Sequence, residues 1–168
     1  MLEKLISIFK SNSIQDIYLV GFVDIEDGIA DFCPDMRYYY FEVGDQCIEF
    51  ESIEQYSKLS VRIVDSIRYQ FEIDKDMQPC KTSVSQIILT DPMSAKNTVK
   101  SIIINGMELN DKEQIICNSI QLNLINGQEL FIDPSFYFGI NIGGAEQRKF
   151  WIENLLDDKK YTETIIEV

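Results

Sequence analysis

The chain reads as an α+β protein: a single β-rich domain over residues 1–168, mostly antiparallel sheet of several hairpins, with a short helix near each terminus. Three observations predict this. Apolar and polar residues alternate along much of the chain, which is the period of a half-buried strand. Glycine turns interrupt the alternating runs at Gly28, Gly44, Gly106 and Gly127. Helical spacing of apolar residues is confined to the two ends.

Taken in order, Leu2, Leu5, Ile6 and Phe9 recur at helical spacing, and Ser11-Asn12-Ser13 ends that helix. Residues 16–25 are β-branched and aromatic, as a strand prefers, and Glu26-Asp27-Gly28 supplies a turn. Residues 37–43 and 47–53 flank Gly44-Asp45, a compact hairpin signal. In the second of these runs Ile48 and Phe50 face one way while Glu49 and Glu51 face the other, predicting one buried face and one wet, acidic face. Residues 60–73 read as one long strand with a bulge near Val64-Asp65, and 84–89 as another, ended by Thr90-Asp91-Pro92. Asn105-Gly106 and Asn126-Gly127 each separate two apolar runs and predict hairpins, 100–104 with 107–109 and 119–125 with 128–132. Gly143-Gly144 leads into a helix over 145–156, with Phe150, Trp151, Leu155 and Leu156 as its apolar stripe.

Composition removes several function classes. With 28 acids against 15 bases and a net charge of −13, the chain lacks the basic footprint of direct nucleic-acid binding, and an anionic membrane would repel it. No apolar run is long enough to span a bilayer, and residues 1–10 lack a secretory signal pattern, so a cytoplasmic location is expected. There is no histidine, which removes the commonest general base and zinc ligand. Cys33, Cys47, Cys80 and Cys117 are far apart, without a Cys-x-x-Cys pair, and read as free thiols. Asp24-Ile-Glu-Asp-Gly28 departs from the calcium-loop spacing, so it reads as an acidic turn. The glycines of residues 139–144 lack the Lys-Ser/Thr pair of a phosphate loop and read as a tight passage from sheet to helix. Glu49 and Glu51 lie about 7 Å apart along one strand face, without the facing geometry that glycoside hydrolysis needs. No catalytic residue, metal or cofactor is expected.

The charge is concentrated. Residues 24–54 hold ten acidic side chains against one base, Arg37, in a stretch otherwise rich in Tyr, Phe, Ile and Val. A folded surface with that balance suits a strongly basic partner. The candidate contacts are Asp24, Glu26, Asp27, Asp31, Glu49 and Glu51. Tyr38 and Tyr40, from the Tyr38-Tyr39-Tyr40-Phe41 run, are the candidate aromatic anchors.

Small size, acidity, the missing catalytic apparatus and the block over residues 120–144 together carry a resemblance. The chain resembles the small, acidic, cytoplasmic immunity proteins of bacterial polymorphic toxin and contact-dependent growth inhibition systems. The resemblance implies a protein without enzymatic activity that binds a cognate basic toxin domain, often a nuclease, and covers its active-site or substrate-binding face. Two further readings follow from the residues themselves. Carboxylates at alternate positions of residues 47–53 could mimic nucleic-acid phosphates and inhibit nucleic-acid-binding proteins. Paired carboxylates could also serve a hydrolase that works without histidine.

Overall fold

A computed structural model describes residues 1–69, 77–92, 96–108, 113–154 and 161–168. Two antiparallel sheets share one apolar core. The first has the strand order β5-β1-β2-β3-β4-β7, with β1 Ile14–Glu26, β2 Ile29–Val43, β3 Gln46–Ile53, β4 Lys58–Val64, β5 Gln78–Ser83 and β7 Gln114–Cys117. The second runs β10-β9-β8-β6-β11, with β6 Val99–Asn105, β8 Ser119–Leu124, β9 Glu129–Phe136, β10 Gly139–Gly143 and β11 Glu163–Glu167. Three helices complete the described fold: α1 Leu2–Ser11, the single turn α2 Ser85–Ile88, and α3 Ala145–Asn154.

Period-two alternation builds the shared core. Leu19 of β1, Tyr39 and Phe41 of β2, Ile48 and Phe50 of β3, and Leu59 and Val61 of β4 point inward from the first sheet. Ile102, Ile104, Ile120, Leu122, Leu130, Ile132 and Ile140 meet them from the second. Phe41 and Phe50 pack as a tilted ring pair with centroids 4.8 Å apart, a geometry that the aromatic quadrupole favours. Leu5 and Phe9 of α1 join the same cluster, so the predicted N-terminal helix is held by its apolar stripe. Ser52 Oγ donates to the Pro134 carbonyl at 2.9 Å and ties β3 to β9.

Three of the predicted turns are hairpins. Asp27 and Gly28, at φ 52° and 79°, join β1 to β2, with Glu26 opposite Ile29. Gly44, at φ 62°, joins β2 to β3. The Asn126-Gly127 turn joins β8 to β9, and Asn126 Oδ1 accepts the Gln128 N–H at 2.9 Å.

Four expectations need correction. The Asn105-Gly106 turn is no hairpin: β6 lies between β8 and β11, and Glu108 crosses to the other sheet, where it bridges to Ile116. The long strand expected over 60–73 ends at Val64, where the chain bends back over the sheet (residues 70–73 lie outside the described set). Residues 85–88 form a helical turn where a strand was expected. Ser85 stops the strand there by accepting the Ile17 N–H at 2.7 Å and donating to Asp16. In α3 the inward residue is Trp151, 5.5 Å from Phe131 and 5.1 Å from Tyr161, whereas Phe150 is exposed; Leu155 and Leu156 lie outside the described residues.

The feature that shapes the surface is an irregularity between β1 and β2. Leu19 pairs with Tyr39 and Gly21 with Pro34, so Val20 opposes the four residues 35–38. Gly21 permits the crossing, since a Cβ there would lie 2.1 Å from the Cys33 carbonyl oxygen. Asp35 closes the bulge by accepting the Arg37 N–H at 3.2 Å and its guanidinium at 2.9 and 2.6 Å. Beyond this point β2 has left β3, with which it pairs only over Tyr38 to Val43. β5 flanks β1 as far as Val23, so residues 24–31 form a two-stranded arm.

Candidate interaction surface

The arm gathers half of the predicted site. Asp24 stands directly opposite Asp31, Glu26 opposite Ile29, and Asp27 occupies the turn. Glu26, Asp27 and Asp31 are exposed and Asp24 is half-buried. Among the described residues none of the four has an ion pair, and residues 22–33 contain no base. Facing like charges disfavour a strand pair by themselves. Two apolar side chains share the tip, Ile25 at 54% and Ile29 at 65% exposure.

The other four predicted contacts are not on a wet face. Tyr18, Tyr40, Glu49, Arg62 and Gln114 form a register row across β1, β2, β3, β4 and β7. Glu49 is fully buried. Its Oε1 accepts Arg62 Nη1 at 3.2 Å and Arg68 Nη2, while its Oε2 accepts Arg68 Nε at 3.1 Å and the Tyr40 hydroxyl at 2.8 Å. Those four contacts occupy the acceptor sites a carboxylate offers, leaving Glu49 none for proton transfer. Glu51 is also engaged, with the Tyr38 hydroxyl at 2.9 Å and Arg62 Nη1 at 2.9 Å.

Tyr38 and Tyr40, expected as exposed anchors, are buried on the outer face with Val20, under Ile67 and Val64. The expectation failed because alternation assigns a side chain to a face without saying what covers that face. Here the chain after β4 covers it: Arg68 reaches back to Glu49, and its carbonyl lies 2.9 Å from the Tyr40 hydroxyl. Arg62 was legible in principle, since pairing 47–53 with 58–64 places it beside Glu49. Arg68 lies in the run read as strand over 60–73, but it arrives from irregular chain beyond β4, so alternation could not place it.

The same compensation holds in much of the acidic stretch. Asp35 pairs with Arg37, Glu54 with Lys58, and Glu42 accepts the Tyr18 hydroxyl at 3.1 Å. Nine of the ten acids are thus divided between a sheet face with internal partners and an uncompensated arm; Asp45, in the β2–β3 turn, has no ion pair among the described residues.

Burial shifts the weak acids of this sheet, on its outer face and, at Cys117, in the shared core. Burial first, then the bond to Glu51, pushes the Tyr38 phenol from its ordinary 10.0 up to about 12. Burial, followed by their carboxylate bonds, also raises Tyr18 and Tyr40. The Cys47 thiol rises from 9.0 to about 11 and Cys117 to about 12, again through burial first and neighbouring carboxylates second. These thiols are poor nucleophiles at neutral pH. A raised folded-state pKa means that the unfolded chain releases its proton first as pH rises. The associated stability is complete below about pH 9 and is lost through about pH 12. Melting temperature should therefore fall steadily over that alkaline window, and Tyr40→Phe should flatten the fall.

Gly143 and Gly144 do carry the chain from sheet to helix. A Cβ on Gly143 would lie 2.6 Å from the Gln147 Cβ, so its role is close packing. Gln147 uses that space to donate to Asp133 Oδ2 at 2.8 Å and to accept Asn141 Nδ2 at 2.9 Å. Among the described residues no group of His, Cys, Asp and Glu could hold a metal ion, and no helix is long and apolar enough to cross a membrane.

Comparison of the chain with protein-family models, with curated proteins and with solved structures returns no match.

Proposed function

We propose that this chain is a cytoplasmic immunity protein. Its β1–β2 arm binds a cognate basic toxin domain, a nuclease by preference of charge, and covers its working face. The observation that carries the reading is the contrast within residues 24–54. Most of the sheet-face carboxylates are matched to arginine, lysine or tyrosine, while Asp24, Glu26, Asp27 and Asp31 stand together without an ion pair. A nuclease face that attracts phosphate is basic, and an acidic projection complements it and speeds encounter. The saturated Glu49 supports a binding role over carboxylate catalysis. Phosphate mimicry by residues 47–53 loses its basis, because Glu49 and Glu51 are occupied by arginines.

Gene order and calorimetry test this proposal. The gene should lie directly downstream of one encoding a toxin with a variable C-terminal domain. Titration of that purified domain should show tight one-to-one binding to the wild-type chain. The variant with Asp24→Asn, Glu26→Gln, Asp27→Asn and Asp31→Asn should bind at least about tenfold more weakly at low salt. Unchanged affinity in that variant would remove the arm from the account.

A further inference from the structure

We propose that the basic partner also places an arginine side chain in a cavity on the same face as the arm carboxylates, where Lys81 of this chain now holds its place. This inference rests on the reading of the chain as a binder of a basic domain. The cavity measures about 450 Å³, and its walls include Tyr18, Glu42, Asp45, Asp65, Tyr69 and Lys81. Glu42 comes from β2, Asp45 from the β2–β3 turn and Asp65 from the chain leaving β4, so the fold gathers carboxylates that are distant in sequence.

Register makes this cavity continuous with the arm. β5 pairs with β1 from Tyr18 to Val23 without a shift, so β1 alternates regularly past the irregularity, whose extra residues all belong to β2. Leu19 points into the shared core and Val20 into the outer cluster. The outer row of β1 therefore runs from Tyr18 at the cavity, through Val20 and Phe22, to Asp24 and Glu26, with Asp31 opposite Asp24. Tyr18 and Asp24 are six residues apart on that row, about 20 Å. A standard interface of roughly 800 Å² per partner reaches both.

Charge and ring chemistry name the occupant. Among the described residues Glu42, Asp45 and Asp65 have no ion pair. Glu42 accepts the Tyr18 hydroxyl at 3.1 Å, a neutral donor that leaves its charge in place. Lys81 is the base on the cavity wall, and its Nζ sits 3.8 Å from the centroid of the Tyr18 ring. A cation over a tyrosine face is a favourable contact, and here an exposed lysine makes it within the chain. Three carboxylates against one ammonium still attract a further cation. A guanidinium suits the site better than an ammonium does, because it stacks on a ring and takes a carboxylate through two parallel hydrogen bonds. Its entry moves Lys81 off Tyr18 into solvent.

That exchange gives the test an uncommon sign: removing a side chain should tighten binding. The probe is the purified protein domain encoded immediately upstream, with rates measured by surface plasmon resonance at ~0.15 M salt. Asp45→Asn with Asp65→Asn should raise the dissociation rate by roughly tenfold. Lys81→Met should lower it about threefold, since the partner no longer displaces a resident cation. Lys100→Met, which removes the same charge from an exposed position on the second sheet, should dissociate like the wild type. The arm variant should instead associate more slowly. If both cavity variants dissociate at the wild-type rate while the arm variant is slowed, the cavity is overturned and the arm reading stands. If the cavity variants respond as expected and the arm variant does not, the cavity holds and the arm reading falls. Equal effects of Lys81→Met and Lys100→Met would reduce the response to net charge and overturn the proposal. A wild-type dimer in sedimentation equilibrium that Asp45→Asn with Asp65→Asn abolishes would give the cavity to a second copy and overturn it as well.

Discussion

Replacing Glu49 with leucine is expected to destabilise the fold by about 2–4 kcal/mol. At this chain length that is a fall of roughly 10 °C in melting temperature. The carboxylate is fully buried, and its four contacts satisfy the Arg62 and Arg68 guanidiniums and the Tyr40 hydroxyl. Removing it strands Arg68 and takes an acceptor from the Tyr40 hydroxyl, whereas Arg62 keeps Glu51 and both guanidiniums reach solvent, so the loss stays below that of a fully buried ion pair. Glu49→Gln keeps an acceptor for Tyr40 and should lose less. Chemical denaturation of wild type, both variants and Arg68→Ala measures the effect. A double-mutant cycle of Glu49→Leu with Arg68→Ala should show coupling of about 1–3 kcal/mol. A Glu49 variant as stable as wild type would mean that the carboxylate faces water after all.

The second large effect is expected at Gly139. Alanine there combines a φ of +128°, which side chains other than hydrogen rarely adopt, with a Cβ 2.3 and 2.4 Å from the Met36 carbonyl oxygen and carbon. Those are backbone atoms of the bulge, not a flexible side chain that could swing away. Strain and overpacking each cost about 1–3 kcal/mol, so Gly139→Ala should lose roughly 3–5 kcal/mol. Gly127 is the control. Its φ of +87° is also left-handed, but a Cβ there meets nothing within 4 Å, so Gly127→Ala should cost only about 1 kcal/mol. Equal losses at the two positions would show that the β9–β10 turn is not seated on Met36.

Local signals in the sequence read well, and tertiary ones did not. Alternation placed Tyr39, Phe41, Ile48 and Phe50 in the core, and the glycine turns placed three hairpins, because both properties are decided within a few residues. β5 was invisible: Gln-Pro-Cys-Lys-Thr-Ser has no apolar alternation, and it is a strand because β1 offers it an edge. The C-terminal β11 was missed likewise, although Thr-Ile-Ile suits a strand. The Asn105-Gly106 turn shows the limit of a strong local motif. Gly106 has the positive φ that the motif calls for, yet β8 and β11 hold the places beside β6 that a hairpin partner would have taken.

The candidate site divides along the same line. Asp24, Glu26, Asp27 and Asp31 were correctly grouped because one tight turn brings them together. Glu49, Glu51, Tyr38 and Tyr40 were correctly placed on one face but assigned to solvent, since nothing local announces that Arg62 and Arg68 converge there. The exposed aromatics Tyr137 and Phe138 fall between the predicted strand over 128–132 and the helix over 145–156, where the sequence assigns no element, and only the packing of Gly139 against Met36 shows where their turn sits.

The salt dependence of the association rate tests the central claim most directly. It is measured by stopped-flow mixing with the neighbouring toxin domain, for wild type and for the variant lacking all four arm carboxylates. If the arm steers a basic partner, the wild-type rate should fall steeply as salt rises from ~0.05 to ~0.3 M, over which the Debye length shrinks to well under 10 Å. The variant should start on the order of 10–100-fold slower at low salt and show a much flatter slope. Parallel slopes and equal rates for the two proteins would contradict the account, placing recognition elsewhere on the molecule.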